Sequence, residues 1–282
     1  DYVEKYGEAY ATDPDKAVYN GPYEMESWAH ESEVVMKLRD DYYDAANIQV
    51  GTINWELITE ESSALASFES GEYVYSDMCP DEEKPRMEGN GLVYTDGNNN
   101  YCVMFNLGDK GNEVLKDEKV RKALSLAIDR DRIINIRGLN DEEGVTLICR
   151  GYTNEEGTDF VDYCDPWEDL SAYDANCEEA KQLLAEAGYP NGEGFPVVEY
   201  LYNTSDAHKA VAEALQNMWE QELGVTVTLN NQEWASFLQT RKNGDYSIAR
   251  NGWISDYNDP VSFLDMWVTG GGNNDAQYSN PD

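Results

Sequence analysis

The sequence is short of positive charge and nearly empty of histidine. Against 56 Asp and Glu it carries 20 Lys and Arg and 2 His, a formal net charge of −36. A field of that sign repels phosphate backbones and anionic headgroups, which argues against nucleic acid or a membrane surface as partner. It suits solubility outside a cell and weakly favours cationic ligands. No stretch approaches the roughly 20 apolar residues that a membrane helix needs. The five cysteines, Cys79, Cys102, Cys149, Cys164 and Cys177, form no C-x-x-C pair, and His30 and His208 add little to them as zinc ligands. A Cys149–Cys164 bridge is open in an oxidising compartment. The odd count leaves a thiol over, so cysteine usage does not fix the compartment.

Catalytic signatures are equally scarce. There is no G-x-S-x-G, no H-E-x-x-H, no G-x-x-x-x-G-K-[ST] and no G-x-G-x-x-G. Carboxylates abound without any pair standing out. Glu31-Ser32-Glu33 and Asp81-Glu82-Glu83 read as solvated surface. Asp162, Asp165, Glu168 and Asp169 lack the glycine and spacing of a calcium loop. The expectation is a protein that is not an enzyme and holds no metal or cofactor.

What is present supports a folded chain. Hydrophobic residues make up 41% and aromatics 12% of the 282 residues, enough for two lobes or one large α/β domain. The 20 tyrosines suit wet recognition surfaces as well as packing. Asp1 is no initiator and opens no signal peptide, and Asn280-Pro281-Asp282 stops abruptly, so a longer parent protein is expected.

Residues 1 to about 105 read as strands and turns. Asn20-Gly21-Pro22-Tyr23 leads into a hairpin over Tyr23 to Leu38, and Glu60 to Phe68 is a short helix. Pro80 to Asn100 reads as polar loop with one strand near Leu92-Val93-Tyr94, and Tyr101 to Asn106 as a compact strand. After that the periodicity changes. Helical spacing runs from Lys119 to Asp129, and again from Asp174, as cap, through Ala180, Leu183, Leu184 and Ala187. A strand at Val197–Tyr202, a helix capped by Ser205 or Asp206 and ended by Gly224, a strand at Val225–Leu229, a helix at Glu233–Lys242 and a strand at Tyr246–Trp253 follow. That order is the mark of a largely parallel sheet wrapped by helices.

Three stretches leave polar and aromatic groups at strand ends, where open α/β sheets place ligands. They are Tyr202 to His208, Asn231-Gln232-Glu233-Trp234 with Phe237 to Arg241, and Ala249-Arg250-Asn251-Gly252-Trp253-Ile254-Ser255-Asp256-Tyr257-Asn258-Asp259-Pro260. With Asn20-Gly21-Pro22-Tyr23, Val120 to Leu124, Ala127 to Arg130 and Ala180 to Tyr189, they closely resemble the extracellular solute-binding proteins of oligopeptide ABC importers, family 5.

The resemblance implies an α/β fold of the periplasmic-binding-protein-like type II class, a two-lobed hinged clamp with mixed sheets flanked by helices. It implies that 1–105 is an incomplete first lobe, that 106–282 is the ligand-gripping second lobe, and that the hinge lies at the strand around Tyr101 to Asn106. It implies capture of peptides outside the cell, by a monomer at the cell envelope, for delivery to permease subunits. In this family Asp256 would pair with the ligand's α-ammonium group; the competing reading is a loop aspartate capping a turn before Pro260. Main-chain groups of Asn251, Trp253 and Ser255 would pair with the ligand backbone, and Ile254 stands where relatives often have a smaller residue or Cys. Tyr257 belongs to the same motif. Trp234 would wall a side-chain pocket, unless it is a core residue of its helix. Arg241, Arg250 and His208 match positions that receive the ligand's carboxylate or side chains, with Asn203 as a further contact. Arg250, on a central strand, calls for an anionic partner, either ligand or an internal carboxylate. The alternatives left open are another cargo on the same fold (a nickel chelate, haem or an oligosaccharide) and a surface module that senses peptides without transport.

Overall fold

The computed structural model of the chain describes residues 2–94, 97–138, 141–144, 146–163 and 172–280, without the side chains of Asp81 and Tyr163. It divides into two compact units, residues 1–92 and 93–282.

The first unit is built on a three-stranded antiparallel meander, β1 (Tyr23–Ala29), β2 (Glu33–Leu38) and β3 (Thr52–Glu56). The expected hairpin is β1–β2, in register from Tyr23↔Leu38 to Ala29↔Glu33. Helices α1 (Tyr2–Tyr6), α2 (Glu61–Ser70) and α3 (Lys84–Met87) complete it. Its buried apolar side chains, among the described residues, are Ala64, Leu65, Pro80 and Met87, while Trp55, Leu57 and Val74 are exposed. The sequence suggested a strand at Leu92–Tyr94. Leu92 makes only an isolated bridge with Glu88, and Val93 and Tyr94 lie exposed with no neighbouring strand to hold them.

The second unit holds a four-stranded sheet in the order β4-β7-β5-β6, from β4 (Asn99–Phe105), β5 (Val198–Asn203), β6 (Val227–Gln232) and β7 (Ile248–Ile254). β5 runs parallel to β6 and β7, and β4 runs antiparallel to β7, so the sheet is mixed. The strand that the sequence reading placed at the boundary between lobes therefore forms part of this sheet.

Helices α4 (Glu118–Leu126), α5 (Arg130–Arg137), α6 (Phe160–Tyr163), α7 (Tyr173–Glu186), α8 (Asp206–Leu223), α9 (Trp234–Lys242) and α10 (Val261–Leu264) surround it. One face of the sheet presents Val198, Tyr200, Tyr202 and Ile248 to Val120, Ala123 and Leu124 of α4, Ala180 and Leu184 of α7, and Val211, Leu215 and Trp219 of α8. The opposite face buries Met104, Leu201 and Ala249 against Phe237, Tyr246 and Ala276. Burying each large side chain is worth roughly 1.5–3 kcal/mol. The half-exposed pairs Lys119–Glu186 and Lys122–Glu179, which also join α4 to α7, are worth about 0–1 kcal/mol each, so packing holds these helices.

Caps explain the boundaries. Asp129 accepts from Arg132 N at 2.9 Å, so the periodic run from Lys119 breaks at Ala127–Asp129 and restarts as α5. Asp174 was expected to cap α7. The helix begins at Tyr173 with Ala172 at the cap, and Asp174 sits in the first turn, where its charge still suits the helix dipole. Ser205 caps α8, and Gly224 ends it at φ +67, where a Cβ would lie 2.3 Å from Asn191 O. Asp165, Glu168, Asp169 and Cys164 lie outside the described residues; Asp162 pairs with Arg150 at 2.9 Å. Cys79, Cys102 and Cys177 are free thiols.

Candidate functional site

The site lies where β5 and β7 part. β4 and β7 pair at seven positions and β5 and β6 at six, yet β5 and β7 pair only at Tyr200↔Ile248 and Leu201↔Ala249. Beyond Ala249 the side of β7 that faces β5 has no strand beside it.

Arg250 crosses this gap. Its Nε donates to Asn203 Oδ1 at 2.7 Å, and its guanidinium lies 5.5 Å from the Trp234 ring, 5.3 Å from Phe237 and 6.0 Å from Tyr101. Among the described residues no carboxylate comes within ion-pair distance of it, so no internal anion is found here for a charge in so dry a place. Burial pushes the guanidinium below the ordinary arginine range, and Arg241 and Arg137 add to that effect.

Arg241 is different. Its Nε donates to Asp275 Oδ2 at 2.8 Å, on a nearly buried carboxylate, and its Nη1 to Asn251 Oδ1 at 2.8 Å. Its charge is thus met inside the fold. Asn251 is buried and also donates to Met104 Sδ.

Trp234 is 48% exposed at the first turn of α9 and stacks on Phe237 at 5.7 Å, so it is no core residue. His208 is half-buried in the first turn of α8, 5.6 Å from Tyr101, with its Nδ1 unpaired. Burial first, and then Arg250 and Arg137, push its pKa down to about 4, so the ring is neutral at pH 7.

The register corrects one expectation. Ser255 N donates to Asn98 O at 2.8 Å, Asn106 N to Ser247 O at 3.0 Å, and Trp253 N to the Asn100 side chain. Alternation along an antiparallel ladder then turns the main-chain groups of Asn251, Trp253 and Ser255 toward β4. The groups left facing the gap are those of Gly252 and Ile254. The Ile254 side chain is 73% exposed. Past the strand, Asp256 is exposed, and among the described residues its carboxylate has no hydrogen-bond or ion-pair partner. Tyr257, exposed beside it, donates from its hydroxyl to Asp265 Oδ2 at 3.3 Å.

Two contributors were not singled out in the sequence, Tyr101 and Arg137, whose guanidinium lies 4.5 Å from the Tyr101 ring while pairing with Asp141; Phe237 entered only as part of a stretch. Arg137, Tyr101, Arg250, Phe237 and Arg241 thereby alternate guanidinium and ring across the sheet end. The available signal was weak: an Arg just before a helix-ending Gly138, and a Tyr opening a strand. Among the described residues no group of three or more His, Cys, Asp or Glu forms a metal site, and no helix is long and apolar enough to cross a membrane.

The family model for bacterial extracellular solute-binding proteins, family 5 Middle, matches residues 1–275. The chain belongs to that family. Within family 5 it is 36% identical over 285 residues to the periplasmic oligopeptide-binding protein OppA of Salmonella typhimurium, covering 99% of this chain and 50% of that protein. Among solved structures it resembles Burkholderia pseudomallei OppA (TM-score 0.86, 29% identity, 99% of this chain and 54% of that one). It is also similar to Haemophilus influenzae OppA in complex with RPPGFSPFR (TM-score 0.84, 28% identity, 99% and 54%). The fold is therefore that of the OppA-type periplasmic binding proteins, as the family 5 resemblance implied. The chain spans about half the length of the curated relatives it matches.

Proposed function

We propose that this chain is the ligand-gripping part of a non-enzymatic protein that captures peptides outside the cell and passes them to the permease of an ABC importer. The observation that carries the proposal is the slot beside β7. Gly252 and Ile254 offer main-chain groups to an added strand, Arg250 waits at one end without a carboxylate, and Asp256 waits at the other without a cation. An extended peptide supplies all three complements at once: a backbone to pair, a carboxylate and an ammonium group. The names of the oligopeptide-binding relatives support the same reading.

In this reading Asp256 takes the α-ammonium group, Arg250 the ligand's carboxylate or an acidic side chain, and Trp234 walls a side-chain pocket. Asn203 and His208 line the approach to Arg250, and Arg241 acts through Asn251. Residues 93–282 form the second lobe, and residues 1–92 part of a first lobe whose exposed apolar faces are covered by further chain. Closure of two lobes would then enclose the ligand, in a monomer held at the outer face of the membrane or in the periplasm.

The test uses the intact protein. Tryptophan fluorescence and melting temperature are followed against pooled di- to octapeptides, free, N-acetylated and C-amidated. Free peptides are expected to stabilise the protein, acetylation or Asp256→Ala to abolish most of the shift, and Arg250→Gln to remove the preference for free acids over amides. No response to any peptide overturns the cargo assignment and turns attention to sugars, haem and metal chelates.

A further inference from the structure

The proposed amine site depends on a carboxylate carried by a surface loop, and such loops ordinarily wander. The segment from Ser255 to Pro260 is tied to the strand end through Ser255 N and Asn98 O, and behind Asp256 itself it is held by the Ser262 hydroxyl. Ser262 Oγ accepts from Asp256 N at 3.0 Å and from the Trp253 indole Nε1 at 3.4 Å. Both lone pairs of the hydroxyl are used, in a residue only 2% exposed.

Both donors come from outside the helix that carries Ser262, so the hydroxyl is not capping its own turn. α10 is itself anchored by the next residue. Phe263 is fully buried with Ile148 and Tyr152, its ring edge-on to Tyr152 at 5.6 Å, and Trp253 packs on the same cluster. The chain from Trp253 to Asp256 carries both the outward-facing Ile254 main chain and the Asp256 carboxylate. Besides its bonds to Asn98 and Asn100, it is therefore held at the Trp253 indole and at the Asp256 amide by one oxygen beside a buried ring.

We infer that Ser262 is a positioning residue for amine recognition: its hydroxyl holds Asp256 where a ligand's α-ammonium group meets it at the end of the β7 slot. The inference rests on the peptide reading given above. Fixing a charged group in advance removes the ordering cost from binding, so loss of the hydroxyl is felt in affinity for the amine.

The readout is the ratio of dissociation constants for an N-acetylated peptide and its free-amine parent, measured by calorimetry on the intact protein. Ser262→Ala is expected to lower that ratio about tenfold, the scale of part-buried N–H groups losing their acceptor, with a smaller loss through the Ile254 main chain shared by both peptides. In an Asp256→Asn background the same substitution is expected to change nothing further. Ser262→Cys, a smaller perturbation with a weaker acceptor, is expected to fall between, and stands in if the alanine variant does not fold. Equal weakening of both peptides, or an effect that persists with Asp256→Asn, overturns the positioning role. A wild-type ratio near one overturns the amine reading itself, and with it this inference; a high ratio that Ser262→Ala leaves intact overturns the inference alone.

Discussion

His208 is a group whose position makes a prediction that peptide binding does not enter. Its ring is half-buried, lies near two arginines, and has a pKa pushed down to about 4 against roughly 6.5 in an unfolded chain. Between those values the unfolded state binds the extra proton. Its contribution to stability is therefore complete above about pH 6.5 and is lost as pH falls through 4. Proton NMR should find the imidazole neutral at pH 5.5. Urea titrations of His208→Gln should show a shallower loss of stability from pH 6.5 to 4 than the parent. An imidazole titrating near 6.5 contradicts the burial seen here. At this scale the sequence was partly legible. Asn203 stands at the end of a strand, Trp234 and His208 at the starts of helices and Arg250 within β7, and the fold brings them together. What was missed follows from non-local geometry. That Arg241 meets Asp275 depends on a loop 34 residues away, and that Ser262 reaches back to Trp253 and Asp256 depends on how α10 turns.

Elements were legible where capping and periodicity agreed. Ser205 and Gly224 bracket α8, and the strand–helix alternation after residue 195 reads directly onto β5 to β7. Legibility failed where a strand's neighbours decide its state. β3 is polar and mostly exposed and forms only because β2 offers it an edge, whereas Val93 and Tyr94, apolar enough for a strand, find none. Register was invisible for the same reason, and register decides that Gly252 and Ile254, rather than their neighbours, face the gap. One residue joins the start of the sheet to its last strand. Asn106, with no exposed surface, donates to Gly244 O and Tyr246 O at 2.8 Å each and accepts from Gly108 N at 3.0 Å. Asn106→Ala strands three backbone groups and should cost about 2–4 kcal/mol in denaturant unfolding. A cost below about 1 kcal/mol would mean that water takes over those bonds.

For the whole molecule, burial separates the two units more sharply than length does. Residues 93–282 contain two clusters packed on opposite faces of one sheet, including Trp219, whose indole donates to Leu124 O at 2.8 Å across the core. Residues 1–92 bury little of their apolar surface. The second unit produced alone should unfold cooperatively in urea and give dispersed amide NMR spectra, and the first unit alone should do neither. Cooperative unfolding of the isolated first unit would show that its sheet needs no covering. The net charge of −36 gave the partner class only by exclusion, because the charge left without a carboxylate at the strand end, that of Arg250, is opposite in sign to that of the molecule.

An unpaired stretch of β-strand is usually a hazard, since a second molecule can zip onto it and start an aggregate. In this sheet the bare length follows only two β5–β7 pairs, and it lies between β4 and β5, not along the outer rim. The bare length is short and is backed by β4, so it offers a folded neighbour's sheet edge little to zip onto, whereas a single extended segment can pair with it. The geometry that leaves hydrogen bonds unmade thus also favours one extended segment over a sheet edge in making them.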